Sequence, residues 1–232
     1  MAGSLPNAQC NLAAPGSLPV RIAGYQRRKM YREFLALGLS SADTILDIGV
    51  TSDRSYAHSN YLEAWYPHKH RITAVGIDDG AASIEHAYPG IKFVKADGRA
   101  LPFDRGSFDY VHSSAVLEHA GSMVEQTTFL AEAGRVARKG VFLTTPNRWY
   151  PVEFHTVMPL VHWLPKPTFR RVLRLMGHDF FAEERNLNLL SRRQLLSMAR
   201  RTGSRAAHEV RGVRLLGLTS NLILLVDKAP RQ

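Results

Sequence analysis

Acidic residues close three successive apolar runs in this chain. Asp47 precedes Gly49 at the end of the first, Asp78 and Asp79 follow the second, and Asp97 with Gly98 follows the third. Carboxylates at such turns accept hydrogen bonds from hydroxyls and amines. An acid after the second run, about 30 residues beyond the first turn, is placed to take a ribose diol. One after the third can take an exocyclic amine, with the Gly98 backbone N–H beside it for a ring nitrogen. Aspartates commonly end strands and cap helices, so the ordered set carries this reading and no single residue does. The fourth run ends at Ser113-Ser114 and leads to Glu118-His119. The fifth is followed by PNRWYPVEFHT (146–156), which holds Glu153 and His155.

The runs themselves are short, apolar and often closed by glycine: TILDIG (44–49), RITAVGI (71–77), IKFV (91–94), FDYVHS (108–113) and VFLTT (141–145). That is the pattern of buried parallel strands. Helical segments separate them. Met30, Phe34 and Leu37 fall on one face of a helix over Tyr25–Leu37 that Gly38 stops. Asn60 with Glu63 caps a helix through Trp65, and Ser122 with Glu125 starts another before Phe129. The alternation specifies an α/β, Rossmann-like, doubly wound sheet with helices on both faces. Ser191 with Gln194 starts a last helix, which runs to about Arg201 and is closed by Gly203. AAHEVRGV (206–213) and TSNLILLV (219–226) then pair antiparallel across a short turn at Leu216-Gly217. Segment 146–190 has five prolines, two of the three tryptophans and no clear strand. It reads as a lid insertion covering substrate at the carboxyl edge of the sheet. Residues 1–20 read as a flexible leader, and 21–232 as one domain.

The 232 residues carry 45% hydrophobic and 22% charged side chains, enough to build a core without disulfides. The one cysteine, Cys10, excludes an intrachain disulfide and suits a reducing, cytoplasmic setting. No apolar run approaches a membrane span, and the first residues lack the n- and h-regions of a secretory signal. The net charge of +10 is uneven: residues 151–232 carry 14 Lys/Arg against 6 Asp/Glu. Such an excess attracts anionic partners or simply forms a solvated surface.

The succession TILDIG, AVGIDD, VKADGRALPFDRGSFDYVHSSAVLEHA and RVARKGVFLTTPN resembles the class I S-adenosylmethionine-dependent methyltransferases, in the ubiquinone- and menaquinone-methyltransferase group. The resemblance implies a mostly parallel seven-stranded sheet ending in an antiparallel hairpin, with S-adenosylmethionine as cofactor. It implies that Asp78 holds the ribose hydroxyls and Asp97 the adenine amine. Gly49 would lie against the methionine portion and Ser113 near its amino or carboxyl group, with Asp47 also among the cofactor-binding candidates. The family's first loop carries three alternating glycines; here Gly49 is followed by Val50, Thr51, Ser52 and Asp53, so the side chains of Thr51 and Ser52 stand where backbone contacts would be. A nicotinamide enzyme would need G-x-G-x-x-G at this turn.

Methyl transfer to a hydroxyl needs a base of near-neutral pKa, which histidine supplies. His119 and His155 are the candidates; His155 is slightly favoured as base, with His119 as a pocket wall beside Trp149, Tyr150 and Phe154, and Glu153 either orients His155 or binds a hydroxyl. The acceptor read from these features is a small or carrier-linked molecule, lipid-linked acceptors included, methylated at oxygen. Two competing readings are an RNA methyltransferase, prompted by the basic C-terminal part, and a non-catalytic cofactor-binding relative, prompted by the first loop. Nucleic acid is disfavoured: Ser113-Ser114-Ala115-Val116 stands where base-amine enzymes carry Asn/Asp-Pro-Pro-aromatic, and Cys10 is the only thiol. Residues 157–176 interleave apolar and basic side chains, which suits peripheral contact with an anionic membrane surface. His68 and His70 have metal-compatible spacing but no accompanying acids, so no metal site is expected.

Overall fold

In the computed structural model, described over residues 13–56, 58–202 and 206–228, each apolar run is a strand. In chain order these are β1 (Ile45–Ile48), β2 (Ile72–Gly76), β3 (Lys92–Lys95), β4 (Phe108–Ser114), β5 (Ala137–Pro146), β6 (Ala207–Leu215) and β7 (Leu218–Asp227). They form one sheet of order β3-β2-β1-β4-β5-β7-β6. The first five strands run parallel, and β7 is antiparallel to both neighbours. The β6–β7 turn holds Leu216 and Gly217 at φ +51° and +82°, the two left-handed residues a two-residue hairpin of matching twist requires. Strand order reverses between β1 and β4, which opens a crevice at their carboxyl ends.

Helices cover both faces. On one side α1 (Leu18–Leu35), α2 (Tyr61–Trp65) and α3 (Ala81–Ala87) pack Met30, Phe34, Leu62 and Ile84 against Ile45, Ala74 and Phe142. On the other, α4 (Met123–Val136) and α7 (Arg192–Arg201) pack Phe129, Ala133, Leu195 and Met198 against Leu46, Val75 and Leu143. The capping boxes at Ser122/Glu125 and Ser191/Gln194 are both made. The insertion has a small core of its own: Met158, Phe169, Leu173, Phe181 and Leu187 bind α5 (Lys166–Leu175) to α6 (Asp179–Ala182).

Three expectations need correction. Helix α1 begins at Leu18, seven residues before the expected start and inside the stretch read as leader. Pro19 is tolerated in a first helical turn, and Gly24 lies inside the helix where a Cβ would meet the His58 ring at 2.3 Å. Asn60 precedes α2 without capping it: its amide clamps Thr51 instead, accepting from the Thr51 N–H at 3.2 Å and donating to the Thr51 carbonyl at 2.8 Å. Glu63 is fully buried rather than solvated at a helix start. Cys10, residues 1–12 of the leader and Gly203 lie outside the described residues.

Candidate active site

A cavity of about 430 Å³ opens at the carboxyl ends of β1 to β4, within the usual range for small-molecule pockets. Its floor is the set of strand exits: Gly49 and Thr51 after β1, Ile77 after β2, Asp97 and Gly98 after β3, and Ser114 to Val116 after β4. Arg27 and its neighbours on α1 form one wall. Phe154, His155, Phe180 and Asn186 of the insertion form another. The insertion is sewn to the β4 exit: Asn188 N–H donates to the Glu118 carbonyl at 2.7 Å, and the Gln126 amide donates to the carbonyls of Leu117 and Asn188.

Two floor glycines are required by space. Gly49 has φ +99°, and a Cβ there would lie 2.1 Å from Val116; at Gly98 it would lie 2.4 Å from the Phe129 ring. Asp97 sits at the rim, its carboxylate held bidentate by Arg99, which lowers its pKa. Arg99 also bridges to Glu125 at 2.7 Å.

The structure brings Gly49, Thr51, Asp97, Gly98, His119 and His155 to one cavity, and does not bring Asp47, Ser52, Asp78 or Ser113 to its wall. Asp47 pairs in register with His112 of β4, and side-chain alternation turns both towards α1 and α2. His112 Nδ1 donates to Asp47 at 2.7 Å, and Tyr61 donates its hydroxyl proton to His112 Nε2 at 2.8 Å. The space beside them is about 10 Å³, room for one water at most. Burial pushes Asp47 up to about 7 and His112 down to about 4. Burial, with the Asp47 charge beside it, raises Glu63 well above the carboxylate range. Neither Glu63 oxygen has a hydrogen-bond partner, and burial beside Asp47 favours its neutral, protonated form.

Asp78 is buried because Ser52 takes it: the Ser52 hydroxyl donates at 2.7 Å, and the Gly80 N–H adds a 3.3 Å bond. Ser52 thus turns away from the cavity. Ser113 is buried with its hydroxyl on the Ile48 carbonyl, and Ser114 lines the cavity in its place. Trp149 is 54% exposed and meets Trp163, Tyr150 is buried behind Phe154, and His68 and His70 lie away from the cavity.

The histidines meet. His155 Nε2 lies 3.1 Å from His119 Nε2. Behind His155, Glu153 accepts from its Nδ1 at 2.6 Å, from its backbone N–H at 2.9 Å and from the N–H and hydroxyl of Thr156 at 2.7 Å each. Burial would lower His155, but the Glu153 carboxylate outweighs it and the net shift is upward. Burial would raise Glu153, and the charge and hydrogen bonds of His155 with those of Thr156 reverse that. His119 Nδ1 donates to the Asn186 carbonyl at 2.6 Å; burial and the adjacent His155 lower its pKa. Sequence reasoning missed the wall from α1 and Ile77, because the helical pattern of α1 marks only its core face.

Residues 46–145 match the family model described as a methyltransferase domain. No curated protein matches the chain by sequence. Among solved structures, an S-adenosylmethionine-dependent methyltransferase from Mesorhizobium loti superposes with TM-score 0.59 at 14% identity, covering 86% of this chain and 98% of its own. One from Methanosarcina mazei gives 0.55 at 16%, covering 84% and 96%. The magnesium protoporphyrin IX methyltransferase of Synechocystis, with S-adenosylhomocysteine bound, gives 0.57 at 14%, covering 90% and 86%. The strand order, the crevice at its switch point and the family match coincide: residues 46–145 match a methyltransferase domain, and the sheet has the fold of the S-adenosylmethionine-dependent methyltransferases on which it superposes.

Proposed function

We propose that the protein methylates an oxygen of a small or carrier-linked acceptor, and that the histidine pair is where that oxygen loses its proton. The observation that carries the reading is the chain Glu153–His155–His119, a carboxylate-backed imidazole presented in the cavity wall. A hydroxyl needs such a group because its proton must leave as the new bond forms. Glu153 fixes the tautomer by holding Nδ1–H, leaving Nε2 as the proton acceptor.

The cavity fits the cofactor by its size and donor set. When bound, S-adenosylmethionine supplies the methyl group from its sulfonium. Asp97 with the Gly98 N–H serves the adenine, Ile77 gives an apolar wall, and Gly49 with Thr51 borders the methionine part. Strand order sets the spacing: β3 and β4 are three strand intervals apart, about 14 Å, so the adenine end and the reacting end occupy different strand exits. The insertion then covers the acceptor side through Phe154 and Phe180.

Incubation with methyl-labelled S-adenosylmethionine and extracts of polar metabolites and lipids tests this. Label in ether or ester linkage, lost in His155→Ala while S-adenosylhomocysteine binding persists, is the expected result. Label on nitrogen, or on bulk RNA with steep salt dependence, overturns it. Cofactor binding with no transfer to any acceptor would favour a non-catalytic role.

A further inference from the structure

We propose that Glu118, His119 and His155 form a binding site for one divalent first-row transition-metal ion, zinc being the best match. This rests on the methyl-transfer reading and specifies what the histidine pair does within it. The argument starts from hydrogen-bond roles. The Asn186 carbonyl can only accept, so His119 Nδ1 carries its proton and Nε2 bears a lone pair. The Glu153 carboxylate already takes three other donors, so His155 Nδ1 likewise carries a proton. When both rings are neutral, their Nε2 lone pairs face each other at 3.1 Å. Such a contact is repulsive unless a cation lies between or beside them.

A third donor joins them. Glu118 is fully buried; Oε2 accepts from the Thr145 hydroxyl at 2.9 Å and Oε1 has no partner. One donor atom from each of Glu118, His119 and His155 falls within 4.8 Å of the others. Zinc–nitrogen bonds of about 2.0–2.1 Å at a tetrahedral angle separate two nitrogens by roughly 3.3 Å, close to the spacing observed. Both imidazoles also have the partner that metal-bound histidine carries on its other nitrogen: a carboxylate for His155 and a backbone carbonyl for His119. In formal charge, Glu118 and Glu153 outweigh the nearby Arg27 by one, which leaves room for a cation. Two histidines and a carboxylate suit zinc, and a three-ligand set leaves a position open to the cavity.

An ion there would bind the acceptor's hydroxyl oxygen and lower its pKa, in place of proton uptake by His155. The hydroxyl proton goes to water, the oxygen electron pair forms the new C–O bond, and the breaking S–C pair stays on sulfur. Motif spacing does not reveal this site, since Glu118-His119 and His155 lie on different loops and the histidines with metal-like spacing, His68 and His70, lie elsewhere.

The test is metal uptake by the full chain. The protein is stripped with chelator, then titrated with Zn²⁺, and separately with Co²⁺, whose visible spectrum reports coordination. One equivalent should bind, with a low-coordinate cobalt spectrum. His119→Ala and Glu118→Gln should lose it, and Glu153→Gln should weaken it about tenfold to hundredfold. His68→Ala should change nothing. S-adenosylhomocysteine affinity, measured on the same variants, shows that each is folded. Uptake well below one equivalent, or one equivalent surviving in the His119→Ala/His155→Ala double variant, overturns the site and leaves a shared proton between the histidines. Transfer that proceeds fully in stripped protein removes the ion and keeps the methyltransferase reading. Uptake without any transfer does the reverse.

Discussion

Two clusters of carboxylate and histidine flank β4, built from the same residue types with opposite outcomes. Asp47, Glu63, His112 and Tyr61 lie on the α1–α2 side with space for one water, and the hydrogen bonds of Tyr61, His112 and Asp47 close on one another beside the buried Glu63. Glu118, His119, Glu153 and His155 lie at the strand's carboxyl end, and two of the four line a cavity of about 430 Å³. In the sealed cluster, burial drives the members towards neutrality. In the open one, the hydrogen bonds and charge of His155 hold Glu153 below its ordinary value, and the Glu153 carboxylate shifts His155 upward against its burial. The composition of a cluster thus does not assign its chemistry; its place relative to the crevice does.

The largest effect should come from the open cluster. His155→Ala is expected to lower transfer by about 10²–10⁴-fold, with S-adenosylhomocysteine affinity within a few-fold of the parent, measured by steady-state rates and calorimetry. Equal losses in both would make His155 structural and erase the contrast. Asp97→Ala comes next. Loss of a charged hydrogen-bond acceptor should weaken cofactor binding by about 1.5–3 kcal/mol, raising the KM for S-adenosylmethionine more than it lowers kcat.

The sealed cluster should answer in stability alone. Glu63 is protonated when folded and ionised when unfolded, so it opposes folding increasingly as pH rises from about 4.3 towards its raised folded value. Glu63→Gln should therefore flatten the fall in stability over that range, raise the melting temperature at neutral pH, and leave turnover unchanged. A parent whose stability rises steadily from pH 5 to 7 while the variant stays flat would contradict the assignment. The smallest effect should be at Ser52→Ala. It removes the hydroxyl hydrogen bond to the Asp78 carboxylate while the Ser52 and Gly80 N–H donors remain, a loss on the order of 1 kcal/mol, with no loss of transfer rate because neither residue lines the cavity.

The fold was legible because its signals are local. Short apolar runs closed by glycine, two capping boxes and a two-residue turn each act over a few residues, and all seven strands follow from them. The site was legible only in part. Strand alternation turns Asp47 towards α1 and α2, while Gly49, just past the end of β1, borders the crevice through its backbone, and a run of consecutive apolar residues hides which face is which. Ser52's capture of Asp78 depends on two loops meeting, and the His119–His155 contact on an insertion folding back over β4. Those are distances of 26 and 36 residues along the chain, beyond the reach of motif spacing.

The most direct test of the account is titration of the protein with S-adenosylhomocysteine by calorimetry, alongside Asp97→Ala and Glu63→Gln. One-to-one binding that weakens in Asp97→Ala and is untouched in Glu63→Gln is the predicted result. Absence of binding at millimolar ligand, or equal weakening in both variants, would contradict the assignment of the crevice as the cofactor site.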